Sequence, residues 1–157
     1  MSDQQPVATD QQAVFSIEKI YVRDLSLEVP NAPQVFMSND APQLDVQLSQ
    51  GVQSVDGALF EVTLKVTVTA KAGDKTVFLV EVAQAGIFQI RNVPQAELDP
   101  ILGMVCPNVL FPYARETVSD TVNRAGFPPV LLAPVNFEAL YQQRMAEQQS
   151  PKIEIAH

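Results

Sequence analysis

The stretch LFEVTLKVTVTA, residues 59–70, alternates apolar and polar side chains over nearly its whole length. Successive side chains of a β-strand point to opposite faces of a sheet, so this pattern predicts a strand with one buried and one solvated face. A domain built around such a strand needs neighbouring strands and a second layer to cover the apolar side. The apolar positions are Phe60, Val62, Leu64, Val66 and Val68.

Three further segments have strand patterns. Residues 15–29 alternate with a break at Ile20 and Val22, which we interpret as partial cover on both faces. The segment QLDVQLS at 43–49 alternates cleanly, and TVFLVEVAQAGIF at 76–88 follows the turn KAGDK as the second arm of a hairpin. Two prolines in VPNAP predict an extended crossover after the first strand. These segments predict a four-stranded antiparallel sheet with a long crossover.

Beyond residue 88 the pattern becomes helical. PQAELDPILGMV predicts a short helix, and a longer helix is predicted from Pro107 to about Ala125, where Gly126 ends it. Asn136 is placed to cap a last helix, NFEALYQQRMAEQQ. Strands followed by helices predict an α+β fold with the helices packed on one face of the sheet. The apolar surface left on the proline- and leucine-rich linker that leads to Asn136, and on the last helix, indicates an oligomer.

Composition divides the chain into three parts. Residues 1–13 are polar and rich in glutamine, which predicts a disordered N-terminal arm, and residues 148–157 are predicted to form a flexible C-terminal tail. One folded domain is expected over 14–147. The N-terminus has no signal-peptide pattern and no run reaches the length of a membrane helix, so we expect a cytoplasmic protein without direct membrane insertion.

Charge and residue content exclude several functions. A net charge of −8 argues against nucleic-acid binding and suits attraction to basic partners. The single histidine is His157 at the end of the chain, and no glycine-rich phosphate motif is present. We therefore expect no enzyme, no cofactor and no metal site. Cys106 near a predicted helix start could be a nucleophile, but with no base available we favour a small buried residue at a helix cap.

Two surfaces are candidates for binding. Asp24 and Glu28 lie four residues apart on one strand face. Such an exposed acidic pair is ordinary, but two acids aligned on a strand can also serve as a docking surface for a basic partner. Most of the aromatic residues are expected in the core, but Phe36 with Met37 in the crossover lies where the chain is least able to bury itself, and so do the apolar residues of the last helix. Such soft side chains beside a groove suit binding of many partners. The helix residues are Phe137, Leu140 and Tyr141.

Over roughly residues 15–141 the sequence resembles the SecB protein-export chaperone family. The many ordered matches make the resemblance specific. The matching segments are Tyr21-x-x-Asp24-x-Ser26-x-Glu28-x-Pro30, Asn31-Ala32-Pro33 with Phe36, Glu61-Val62, Val66-Thr67-Val68-Thr69-Ala70, Phe78-Leu79-x-Glu81-Val82, Gly86-Ile87-Phe88, CPNVLFPYARE at 106–116, Phe127-Pro128 and Leu132-Ala133-Pro134-Val135-Asn136-Phe137.

The resemblance implies a homotetramer, built as a dimer of dimers, that binds unfolded precursor proteins without ATP and delivers them to the SecA motor ATPase. In the family, the acidic sheet surface meets the basic, zinc-binding C-terminal tail of SecA. The positions that match this surface are Asp24, Glu28, Leu79 and Glu81. Clients lie in apolar grooves, and the matching positions are Phe36, Leu44, Val46, Leu48, Phe137, Leu140 and Tyr141. The chain has no tryptophan, and Asp40 stands in the crossover where relatives often have one.

Other functions remain open at this level. A related chaperone dedicated to an antitoxin would share these residues. A small-molecule or lipid carrier would need a closed cavity in each subunit rather than an open groove. A hydrolase using Cys106 would lose activity on Cys106→Ser.

Overall fold

A computed structural model of the chain describes residues 12–149. Its sheet has four strands in the order β1-β4-β3-β2, and every neighbouring pair is antiparallel. The predicted α+β fold with a four-stranded antiparallel sheet is confirmed. Residues 29–42 carry the chain from one edge of the sheet to the other and include a short 3-10 helix, Gln34–Met37. The strands are β1 (Val14–Glu28), β2 (Gln43–Asp56), β3 (Leu59–Ala72) and β4 (Lys75–Arg91).

Strand β2 is longer than the sequence pattern predicts, continuing from residue 49 to Asp56. The extra residues include Gly51 and lack clean alternation. They pair in register with β3, Gln50 opposite Leu64 and Val52 opposite Val62. Pairing to a strongly patterned neighbour therefore extends a strand that its own composition does not predict.

Strand β1 contains two register shifts, between Ile17 and Lys19 and between Val22 and Asp24. Each shift leaves one extra residue on the strand, and an extra residue exchanges the faces of all side chains that follow. The break in alternation at Ile20 and Val22 therefore reflects bulges, and our interpretation of cover on both faces is wrong. Pairing of β1 with β4 places Ile20 and Val22 on the same face as Leu25, and Tyr21 on the face of Asp24.

The core lies between one face of the sheet and the helices. The inward residues of β3 and β4 pair directly across the two strands, Val66 with Val82 and Val68 with Val80, and all four are fully buried. Fully buried residues of the longest helix, Leu110, Val118 and Val122, belong to the same cluster. We call this side of the sheet the helix face and the opposite side the polar face.

The helices are α1 (Gln95–Pro100), α2 (Cys106–Arg124) and α3 (Phe137–Gln149), and a π-helical turn, Ile101–Val105, joins the first two. The predicted helix start at Pro107 is wrong, because the chain is helical from residue 95 to 124 without interruption. The amide of Cys106 donates to the carbonyl of Ile101, five residues earlier. Such a widened turn eases the clash between a proline ring and the carbonyl of the preceding turn, here at Pro107.

The predicted end of α2 and the predicted start of α3 are confirmed. Gly126 follows α2 with a φ of 97°, a conformation that favours glycine, and the Phe127 amide returns to the Val122 carbonyl. The side-chain oxygen of Asn136 accepts the Ala139 amide at 3.0 Å and caps α3. Helix α3 continues to Gln149, two residues into the predicted tail. Apart from residues 12, 13, 148 and 149, the predicted arm and tail lie outside the described residues.

Candidate binding surfaces

The polar face carries the four predicted docking residues together. Glu28 lies opposite Leu79 on β4, Ser26 lies opposite Glu81, and Asp24 lies opposite Ala83. Asp24 and Glu28 are exposed, whereas Leu79 and Glu81 are half-buried. The structure therefore brings Asp24, Glu28 and Glu81 into one acidic patch beside Leu79, and we use the name acidic patch for these three carboxylates.

Basic side chains neutralise some acids of the polar face but not others. Lys65 lies 3.1 Å from the carboxylate of Glu81, and the Thr67 hydroxyl donates to the same oxygen at 3.2 Å. Within residues 12–149, no lysine or arginine nitrogen lies within 4 Å of Asp24 or Glu28. The β1 side of the acidic patch therefore carries the uncompensated negative charge.

A second group of polar side chains binds Glu61 on β3. Glu61 accepts a hydrogen bond from the Tyr21 hydroxyl and forms an ion pair with Arg23. Burial, and then the hydrogen bond to Glu61, raises the pKa of Tyr21 to about 12. Glu61 is thus held by partners on β1, and we do not include it in the acidic patch.

A groove of about 1230 Å³ opens on the helix side, between the crossover, the β3–β4 turn and the linker after α2. We call it the crossover groove. Phe36 and Leu44, two of the predicted client residues, line it. The Phe36 ring stacks on Phe127 at 5.1 Å, and Phe127 in turn meets Phe78 at 5.1 Å. The floor of the groove is therefore aromatic and continuous with the core.

Leu44 begins an apolar strip that follows the helix face of β2. Leu44 is 48% exposed and Val46 is 44% exposed, while Leu48 is half-buried against the core. Their partners on β3 are the fully buried Ala70, Val68 and Val66. The strip is exposed because α2 packs over β3 and β4, which leaves the edge strand β2 uncovered.

Phe137 does not lie on an exposed groove. It is 3% exposed and meets the edge of the Phe111 ring at 5.8 Å, because the first turn of α3 packs against α2. The expectation that this side chain remains uncovered is wrong. Leu140 is half-buried against the same core, so the first turn of α3 serves mainly to seat the helix.

Tyr141 anchors α3 on the π-helical turn and does not line the crossover groove. Its hydroxyl donates to the Asp99 carboxylate at 2.8 Å. A Cβ atom at Gly103 would lie 2.7 Å from the Tyr141 ring, so only glycine permits this approach. The seven predicted client residues therefore fall into two places, the crossover groove with its β2 strip and the seat of α3.

Arg144 is a contact residue that the sequence reading missed. Pro107 has no amide hydrogen to donate to the Gly103 carbonyl, four residues earlier, and Arg144 donates to that carbonyl at 3.4 Å. The same Arg144 nitrogen donates to the side chain of Gln50 on β2 at 3.1 Å. Arg144 therefore ties α3 to the sheet at the end of the apolar strip. The only sequence signal was the proline in a helical pattern.

Cys106 is fully buried, as the second of the two interpretations predicted, but it lies inside a continuous helix and not at a helix cap. Burial raises the pKa of its thiol to about 12, so the thiolate is scarce near neutral pH. In residues 12–149 no three His, Cys, Asp or Glu side chains are grouped so that they could hold a metal ion. Within that range, too, no helix is long and apolar enough to cross a membrane.

We expect the native protein to resist thiol reagents near neutral pH and to react fully once it is unfolded. Because the thiol has a raised pKa in the folded state, folding stability is unaffected below the usual value of 9.0 and declines as pH rises from there towards 12. Labelling with a chromogenic disulfide reagent before and after denaturation measures the protection of the thiol. Denaturation at a series of pH values measures the change in folding stability. Rapid labelling of the folded protein would contradict the buried position.

The comparisons identify the family. The model of the SecB family, described as preprotein translocase subunit SecB, matches residues 8–148. The chain is 68% identical over 148 residues to a protein-export protein SecB of Chromobacterium violaceum, covering 94% of this chain and 96% of that protein. It is 62% identical to the protein-export protein SecB of Methylobacillus flagellatus, covering 94% of both chains. The protein belongs to the SecB family, as the resemblance in its motifs predicted.

A solved structure has the same fold. The Mycobacterium tuberculosis SecB-like chaperone, in complex with a peptide from an antitoxin, superposes with a TM-score of 0.65 at 20% identity. The superposition covers 77% of this chain and 90% of that chain. At this identity the similarity establishes the shared α+β architecture.

Proposed function

We propose that the protein is an ATP-independent export chaperone of the cytoplasm, which binds unfolded precursor proteins and delivers them to the SecA motor ATPase. The observation that carries this proposal is the division of one sheet into two exposed surfaces, an apolar strip with a groove on one face and an acidic patch on the other. The high identity to protein-export SecB proteins supports the same function.

Client binding would use the apolar side chains of the crossover groove and the β2 strip. An unfolded chain offers extended apolar segments, and a groove with exposed Leu44, Val46 and Leu131 gives many weak, nonspecific contacts to them. A protein that folds quickly removes these segments before capture. The interaction therefore selects clients by how slowly they fold rather than by sequence.

Assembly into a homotetramer, a dimer of dimers, would multiply these weak contacts. On the helix face of β1, a row of apolar side chains is 38–46% exposed in the single chain. Burying these side chains between subunits would favour association. Several grooves in one particle then bind one extended client with higher affinity than any groove alone. The exposed residues of β1 are Phe15, Ile17, Val22, Leu25 and Leu27.

Delivery would use the acidic patch together with Leu79. The basic, zinc-binding C-terminal tail of SecA provides the complementary charge, and the zinc belongs to SecA. Opposite charges steer association and fix the orientation of the complex, while the half-buried Leu79 adds an apolar contact. Because the acidic patch and the crossover groove lie on different faces, a client and SecA have separate binding sites.

The groove geometry favours a polypeptide over a small ligand. A carrier for a lipid or small molecule needs an enclosed cavity, whereas Leu131 at the crossover groove is 82% exposed. An open groove also suits the chaperoning of an antitoxin, which differs from export only in the client and in the absence of delivery to SecA.

A holdase assay tests the proposal. The purified protein is expected to suppress aggregation of a slowly folding precursor diluted from denaturant, without nucleotide, and to release it for translocation when SecA and membranes are added. A folded, mature protein of the same size serves as the control and should not bind. Suppression that requires ATP, or no suppression at all, would contradict the proposed function.

A further inference from the structure

We infer that Lys65 limits the affinity of the acidic patch by neutralising Glu81, so that Lys65 sets how tightly a basic partner binds. This inference rests on the proposed docking function. It concerns a residue outside the four predicted docking positions. Replacing this lysine by a neutral residue is expected to raise the affinity for the partner.

The geometry places Glu81 at the centre of the acidic patch. Ser26 lies directly opposite Glu81, so Asp24 and Glu28 flank it diagonally across the strand pair. Diagonal neighbours on one face lie roughly 7–8 Å apart, within reach of one cationic segment of a partner. A basic peptide on this surface would therefore meet all three carboxylates together.

Among the residues that the structure describes, a cation lies against Glu81 but against neither Asp24 nor Glu28. Lys65, on β3, forms an ion pair with Glu81 at 3.1 Å, and the two side chains are 47% and 33% exposed. Thr67 directs the carboxylate by donating to the same oxygen. A partner lysine or arginine that approaches Glu81 must displace Lys65 or accept its repulsion, because like charges close together oppose binding.

The ion pair contributes little to the fold, so removing it should change binding without unfolding the protein. Exposed ion pairs contribute little to folding stability, and Lys65 points away from the core. Lys65→Gln keeps a long polar side chain between the fully buried Leu64 and Val66. Glu81 then presents its full charge beside Asp24 and Glu28.

The test measures binding of a zinc-loaded synthetic peptide with the sequence of the SecA C-terminal tail. Lys65→Gln is expected to bind it about two- to fivefold more tightly at low ionic strength, and this gain should vanish at high salt. The matched control is Arg91→Gln, which removes one positive charge from the same sheet. Arg91 lies ten residues from Glu81 along β4, roughly 33 Å away. The control should leave affinity nearly unchanged.

A double variant identifies the cause. If Lys65 acts through Glu81, the gain disappears when Lys65→Gln is combined with Glu81→Gln. An equal gain from Lys65→Gln with and without Glu81 would overturn the inference and indicate a general charge effect, as would an equal gain from Arg91→Gln. No gain at all would also overturn it.

The outcome separates this inference from the proposed function. If Glu28→Lys loses peptide binding while Lys65→Gln brings no gain in affinity, the docking surface is supported and the inferred role of Lys65 is wrong. If neither variant changes binding, the docking surface itself is wrong.

Discussion

Glu28→Lys is expected to weaken binding of the SecA tail about 100-fold while leaving client protection intact. Glu28 is exposed on the polar face and has no cationic partner within the described part of the chain. The substitution places a positive charge against a basic partner, and like-charge contacts at an interface cost several kcal/mol. We therefore expect a loss of about 100-fold in affinity, each tenfold step being about 1.4 kcal/mol.

Two measurements on the same preparation decide the outcome. Titration with the zinc-loaded tail peptide gives the affinity, and suppression of precursor aggregation gives client binding. Glu18→Lys is the matched control, since it reverses the same charge on the same strand ten residues away, roughly 28 Å along β1 once its two bulges are allowed for. Equal losses in both variants would mean that net charge, not the acidic patch, governs docking. Loss of both functions in Glu28→Lys would contradict separate sites.

Leu44→Asp is expected to weaken client binding about tenfold without weakening the fold. Leu44 is 48% exposed at the crossover groove, so its substitution removes little from the core. On the proposed function a client would cover this apolar surface on binding, and full burial of a leucine side chain is worth about 1.5–3 kcal/mol. Introducing a carboxylate adds a desolvation cost at the same position.

The affinity of Leu44→Asp for a fluorescently labelled, slowly folding precursor measures this effect, with thermal unfolding as the check on stability. Val55→Asp is the matched control. Val55 is 51% exposed on the same strand, about 36 Å from Leu44 at the other end of β2. Client affinity that falls equally in both variants would place the binding site elsewhere.

Much of the architecture follows from local patterns in the sequence. The alternation in β3 predicts both its strand and its buried face, and Gly126 and Asn136 predict helix ends through backbone chemistry that acts over a few residues. The sequence also predicts that Asp24 and Glu28 share a face, because both residues come after the second bulge of β1 and are an even number of residues apart. Parity within one short segment is a local property.

The features that the sequence does not predict depend on contacts between residues that are distant along the chain. Bulges in β1 reverse the faces of residues between them, and only the register against β4 reveals this. The ion pair of Lys65 with Glu81 joins two strands across a hairpin. Phe137 and Arg144 meet groups brought near by folding, Phe111 in one case and the Gly103 carbonyl in the other. Periodicity carries no information on such contacts.

The helical segment shows how a strong local signal can mislead. Pro107 predicts a helix start, since a first-turn residue needs no amide hydrogen. The chain instead runs through Pro107 by widening one turn, and Arg144 takes the place of the missing donor. Cys106 therefore lies inside a helix, where no free helix end lowers the pKa of its thiol.

Hydrogen exchange of the protein with and without a bound unfolded precursor tests the groove directly. Within the described residues 12–149, strand β2 lies at the edge of the sheet beside β3, so we expect the amides on its outer edge to exchange readily in the isolated chain. We expect a bound client to slow exchange in residues 34–48, at the crossover groove and the apolar strip, and to leave the acidic patch on β1 unchanged. Protection confined to residues 24–28 and 79–81, with none in 34–48, would contradict client binding in the groove.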